Sequence, residues 1–167
     1  MTVDGGRVRF ATTADLAALQ AIEAAADGQF APLMDVSGWG PPATGESRGA
    51  EPGFVLVVGE PVVGFAHVLD LDGHLHLEQL AVDPSHGRQG LGSALVEAVC
   101  RVATSRGADE VTLMTFADVP WNGPWYTARG FSELALPLPD FLQPLRATED
   151  RLGLARQGRR IAMVRDL

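Results

Sequence analysis

The stretch from Leu75 to Phe116 constrains the fold more than any other part of the chain. It opens with a β-rich run, Leu75 to Val82, then passes through Asp83-Pro84 and Ser-His-Gly-Arg-Gln-Gly-Leu-Gly (85–92). The apolar residues that follow, Leu91, Ala94, Leu95, Ala98, Val99 and Val102, recur at spacings of 3, 1, 3, 1 and 3, which keeps them on one face of a helix. Gly107 closes that helix, and Glu110 to Phe116 supplies another strand. Strand, glycine turn, helix, strand is a βαβ unit, and its crossover makes the two strands parallel.

The strands before it read differently. Phe54 to Val58 and Val62 to Leu69 are separated by Gly-Glu-Pro, and Leu75 to Val82 follows Asp72-Gly73, so the three predict an antiparallel meander. A meander joined to a βαβ unit gives an α/β (α+β) fold with a mixed, mostly antiparallel central sheet flanked by helices. In the last of these strands the alternation slips: Leu75 and Leu77 share one face by period two, whereas Leu80 and Val82 fall on the other. A β-bulge at Glu78 to Leu80 reconciles them, and a bulge leaves backbone groups unpaired where a ligand can take them.

The flanks complete the frame. Val8 and Phe10 suit a short strand; Thr12 to Asp15 reads as a helix start, and Leu16, Leu19, Ile22 and Ala26 form the apolar face of a helix reaching about Asp27. From Pro32 to Gly53 the Gly- and Pro-rich composition predicts a long loop, with Trp39 its most conspicuous residue. A short helix starting near Pro124, a strand in Phe131 to Leu138, a helix from Asp140 to about Leu152 and a strand over Arg160 to Arg165 follow. At 167 residues the chain is expected to be one domain.

Charge and cysteine narrow the function. The formal charge of −8, from 13 Lys and Arg against 21 Asp and Glu, argues against a nucleic-acid partner, which needs clustered cations. Such a surface suits a cationic substrate such as an amine, or serves only solubility. The single cysteine, Cys100, has no partner within the chain, and MTVDGGRVRF lacks the continuous apolar run of a signal peptide, so a cytoplasmic protein is expected. Pro, Gly or charge interrupts every run short of a membrane span of about 18 apolar residues.

A glycine turn between strand and helix presents backbone N–H groups at the positive end of a helix dipole, where pyrophosphate binds, although two glycines also make a plain tight turn. No Walker lysine follows these glycines and no acidic residue ends a second parallel strand, which disfavours ATP and NAD. Leu-Glu-Gln-Leu-Ala-Val-Asp-Pro (77–84) followed by His-Gly-Arg-Gln-Gly-Leu-Gly-Ser-Ala-Leu (86–95) closely resembles the acetyl-CoA signature of the GNAT N-acetyltransferase superfamily. Trp121-Asn-Gly-Pro-Trp-Tyr126 with Gly130-Phe131 resembles that family's closing motif, in which a tyrosine precedes a Gly-Phe pair by four residues. The sequence departs from the pattern at Gly87, where Gln or Arg is usual, and at Val119 and Asn122.

The resemblance implies an acetyl-CoA site. Its pantetheine arm would run along the bulged strand at Leu80, Ala81 and Val82, and its pyrophosphate would rest on the turn formed by Gly87, Arg88, Gln89, Gly90, Leu91, Gly92 and Ser93, with Asn122 and Tyr126 near the thioester. It also implies transfer of the acetyl group to a primary amine of a small molecule or protein by direct attack in a ternary complex. That chemistry needs a base for the ammonium, an oxyanion donor and an acid for the departing thiolate. Glu78 on the bulge is the candidate base, the Leu80 N–H the oxyanion donor and Tyr126 the acid, each set against a simpler reading as a strand residue or a packing tyrosine. His76 is expected on the same side as Glu78. His74 and His76 lack further clustered ligands, so no metal is expected. Cys100 has no adjacent histidine and reads as a small core residue. A rival reading is a catalytically silent acyl-CoA-binding module. The acceptor and the oligomeric state have no readable code, although among soluble homo-oligomers the homodimer is the commonest assembly.

Overall fold

The computed structural model describes residues 8–167; most of the MTVDGGRVRF segment, residues 1–7, lies outside the described residues. In chain order the strands are β1 (Arg9–Phe10), β2 (Gly53–Val58), β3 (Gly64–Leu71), β4 (His74–Val82), β5 (Glu110–Phe116), β6 (Ser132–Glu133) and β7 (Arg160–Asp166). The α-helices are α1 (Leu19–Asp27), α2 (Gly45–Ala50), α3 (Leu91–Ser105), α4 (Gly123–Thr127) and α5 (Gln143–Leu152). One seven-stranded sheet runs in the order β1-β2-β3-β4-β5-β7-β6, antiparallel at every pairing except the parallel one between β4 and β5.

Two layers of side chains cover the sheet. On one face α3 packs Leu91, Leu95, Val99 and Ala103 onto Leu56, Val58, Val68, Leu77, Leu113 and Met163, all buried. On the other face α1 sets Leu19 and Ile22 against Val55, Val57, Phe65 and Ala81. Further along that second face the segment around Leu138 and Leu142 meets Ala162 and Met114. Burying a Leu or Val side chain stabilises by about 1.5–3 kcal/mol, so the α3 layer anchors the β4–β5 pair.

The bulge falls where the alternation slips. Leu77 pairs with Val68 and Gln79 with His67, so Glu78 is the extra residue in β4. Leu77 belongs to the α3 layer and Leu80 packs against it, while Ala81 lies in the α1 layer; the bulge restores the parity of the strand.

Several expectations change. The segment 32–53 is not loop throughout: Thr44 caps α2 by accepting from Ser47 N–H, and Arg48 on that helix is buried. Buried polar contacts order this glycine-rich stretch, and no pattern of apolar residues announces them. The strand expected over Phe131 to Leu138 shrinks to Ser132–Glu133, because the chain leaves β7 after Leu134 N–H bonds to Ala162 O. The first helix begins with a 3-10 turn at Leu16–Ala18, held by Asp15 accepting from the N–H and hydroxyl of Thr12.

Candidate active site

The parallel pairing of β4 and β5 stops at Leu77 and Leu113, although β4 continues to Val82 and β5 to Phe116. Beyond that point the strands part, and both flanks line a cleft of ≈ 980 Å³. The bulge at Glu78 sits at the fork. Asp83 N–H donates to Val63 O, and Ala81 is paired with Phe65 two residues earlier on β4. Alternation along an antiparallel ladder therefore turns the N–H and C=O groups of Leu80 and Val82 away from β3, toward the cleft.

At one end of the cleft lies the turn before α3. Arg88 (φ 60°) and Gly90 (φ 77°) are both left-handed, which folds the chain so that successive N–H groups converge into an anion-binding concavity. Gly87 N–H bonds to Pro84 O and Ala94 N–H to Gly90 O. Between them the N–H groups of Arg88, Gln89, Gly90, Leu91, Gly92 and Ser93 have no backbone acceptor among the described residues. Helix geometry explains the last three and the turn exposes the others.

The glycines play separate parts. Gly90 provides the positive φ and has open space where a side chain would stand. Gly92 instead makes room for protein: a Cβ there would come within 3.3 Å of the Trp125 ring, so α3 and α4 meet at this point. Trp125 carries the Arg129 guanidinium over its face at 3.5 Å, and Arg129 Nε donates to Ser93 Oγ at 2.9 Å. Arg129 thus adds positive charge beside the turn. The sequence did not single it out; it lies in the turn after α4, where its guanidinium folds back to donate to Trp125 O.

Leu80, Ala81, Val82, Gly87, Arg88, Leu91, Ser93, Asn122 and Tyr126 all border the cleft, whereas Gln89 is exposed outside it. Asn122 ties two elements together: its side-chain oxygen accepts from Phe116 N–H at 3.4 Å and its carbonyl from Tyr126 N–H at 2.9 Å. Tyr126 packs edge-on against Trp125 and Phe131, and its hydroxyl makes no hydrogen bond among the described residues. Burial pushes the phenol above its ordinary pKa, so it is protonated at neutral pH.

Glu78 also borders the cleft. It is open to solvent on that side and enclosed by protein elsewhere, and this desolvation raises its carboxyl from 4.5 to about 7, against the pull of Arg48 and with the help of Glu51, Glu149 and Glu23. His76 is not beside it. It lies where β4 and β5 are still joined, buried, with Nδ1 2.8 Å from Thr112 Oγ1, and burial lowers its pKa to about 4. Period two places His76 and Glu78 on one face, but the fork separates them. Cys100 is buried in the α3 layer, away from the cleft, and burial raises its thiol pKa.

The far end of the cleft joins Trp39 and Trp121, which the sequence singled out, to Arg48, Glu23, His67, Asp27 and Phe30, which it did not. Buried Arg48 from α2 donates to Glu23 Oε2 of α1 at 2.7 Å and lies 2.9 Å from His67 Nδ1 of β3. Arg48 Nε and His67 Nε2 remain buried with no partner among the described residues. Burial, then the Arg48 charge, lowers His67 to about 4. Asp27 is half-buried, and burial followed by the Glu23 charge raises its carboxyl from 3.8 to about 6. Aromatic rings from separate segments meet here: Phe30 lies 5.4 Å from Trp39, 5.4 Å from Trp121 and 5.9 Å from Phe116, centroid to centroid.

Such a cleft has a phosphate-ready turn at one end, an unpaired strand edge along its floor and a tyrosine and a carboxylate between the two ends. Among solved structures the chain resembles the ribosomal-protein-S18-alanine N-acetyltransferase of Escherichia coli, at 24% identity over 96% of this chain and 93% of that one, with a TM-score of 0.67. It also resembles the PaiA N-acetyltransferase of Thermoplasma acidophilum in complex with coenzyme A, at 12% identity over 97% and 99% of the two chains, with a TM-score of 0.69. These likenesses are of fold. Residues 19–131, from α1 to the Gly-Phe pair, match the Acetyltransferase (GNAT) family, and the chain belongs to it.

Proposed function

We propose that the protein is an acetyl-CoA-dependent N-acetyltransferase that acts on a primary amine within a ternary complex. The observation that carries this reading is the forked cleft itself, in which the acceptor-free N–H groups of Arg88, Gly90, Leu91, Gly92 and Ser93 end the same groove that Glu78 and Tyr126 border. The residues fit the group. The turn and the Arg88 and Arg129 cations suit a pyrophosphate, and the outward N–H and C=O groups of Leu80 and Val82 suit the amides of a pantetheine arm.

Acetyl-CoA supplies an acetyl thioester; transfer to the amine forms a C–N bond, breaks the C–S bond and releases the CoA thiol. Glu78 takes a proton from the ammonium, so that the nitrogen lone pair is free to attack; a carboxyl near pKa 7 is matched to that task. Leu80 N–H donates to the oxygen on which charge develops. Tyr126, kept protonated, gives its proton to the departing sulfur and is re-protonated, through water, by the second proton that the attacking nitrogen loses, while Glu78 releases the first to solvent.

Calorimetric titration with acetyl-CoA, followed by thiol release against a panel of amines, tests the reading. Acetyl-CoA binding with amine-dependent release is expected, and Tyr126→Phe is expected to lower kcat by about 10²-fold while leaving acetyl-CoA affinity unchanged. Binding without release from any amine would favour the silent acyl-CoA module, and absence of binding would sink both readings.

A further inference from the structure

The acceptor end of the cleft has a specific chemical character. Its two arginines are already engaged by carboxylates: Arg48 with Glu23, and Arg160 with Glu149. Arg160 also covers the face of Phe116 at 4.5 Å. Asp27 and Glu78 make no hydrogen bond or ion pair among the described residues, so this half of the cleft holds two unpaired carboxylates and no cation without a carboxylate partner. The free cations, Arg88 and Arg129, are at the opposite, phosphate-binding end.

Beside those carboxylates stand Phe30, Trp39 and Trp121, drawn from the 3-10 turn after α1, the 32–44 segment and the turn before α4. Trp121 is 36% exposed although it packs within 5.4 Å of Phe30, so an aromatic surface faces the cleft. Aromatic faces attract both apolar bodies and ammonium groups.

Resting on the transferase reading above, we propose that the acceptor is a carboxylate-free primary amine with an aromatic or bulky apolar body. Asp27 and Glu78 draw the ammonium into the cleft, and the body lies on Phe30, Trp39 and Trp121. Free α-amino acids are excluded because their carboxylate meets two unpaired carboxylates and finds each arginine already paired with a carboxylate. Linear polyamines satisfy the carboxylates but leave the aromatic wall uncovered.

The test compares phenethylamine with phenylalanine, which has the same body plus a carboxylate, and with spermidine and a short peptide, all at saturating acetyl-CoA. Phenethylamine is expected to exceed each of the others in kcat/KM by at least about tenfold. Asp27→Asn is expected to narrow the gap to phenylalanine. Trp121→Ala, at an exposed position, is expected to raise KM for phenethylamine about tenfold with the KM for acetyl-CoA unchanged. Preference for phenylalanine, spermidine or the peptide, or an unchanged KM in Trp121→Ala, overturns this acceptor class and leaves the transferase standing. Failure to bind acetyl-CoA overturns the transferase reading and this one with it.

Discussion

Glu78 owes its character to one misfit in an otherwise regular strand. As the bulged residue it has no cross-strand partner, and protein encloses it except where the cleft opens. Because its folded pKa is about 7 against 4.5 when unfolded, the folded state holds the extra proton between those values. The stability this group contributes is therefore present below pH 4.5 and lost as pH rises through 7. Replacing it with Gln removes that loss, so thermal denaturation should show Glu78→Gln gaining more over the parent at pH 8 than at pH 5. Activity moves the other way: kcat/KM of the parent should rise with pH around a midpoint near 7, and Glu78→Gln should lose that limb together with about 10²-fold in rate. A variant that kept both the rate and the limb would remove Glu78 from the mechanism.

Short elements, rather than long ones, set the walls of the cleft. At the start of α2 an added Cβ on Gly45 would come within 1.8 Å of the Leu16 carbonyl oxygen, a backbone contact that no rotamer change relieves. Gly45→Ala should force α2 away and carry Arg48 from Glu23 and His67, costing about 3 kcal/mol in a urea titration. Gly92→Ala is a milder case, since its Cβ meets only the rim of the Trp125 ring. That variant should keep its melting temperature within a few degrees and raise the KM for acetyl-CoA several-fold, because Trp125 and Arg129 must shift from Ser93. An unchanged KM would show that Arg129 has no part in holding the cofactor.

For the molecule as a whole, the fork between β4 and β5 leaves backbone groups in the middle of the sheet without strand partners. A ligand that takes them binds the folded state alone, so coenzyme should stabilise the whole domain. At 100 times its Kd, acetyl-CoA should add about 2.7 kcal/mol, a rise of roughly 5–10 °C in Tm for a chain of this size. Hydrogen exchange measured alongside should slow at Leu80, Val82 and residues 88–93, and protection confined to other segments would place the ligand elsewhere.

What the sequence determined alone was whatever depends on short-range pattern. The spacing from Leu91 to Val102 dictates α3, the turn signals dictate the meander, and the slipped parity between Leu77 and Leu80 dictates the bulge. The candidate site residues fell within two short motifs, each legible from neighbouring positions in the chain, and all of them but Gln89 border the cleft. The tertiary structure alone decided how the far end of the cleft is assembled. Arg48 and Glu23 are 25 residues apart and meet in the interior, and Phe30, Trp39 and Trp121 converge from segments with no common period. Periodicity reports only which face of one element is apolar. Which charges find partners, and which of two parity-matched residues sits at the fork, is set by contacts between elements distant in the chain.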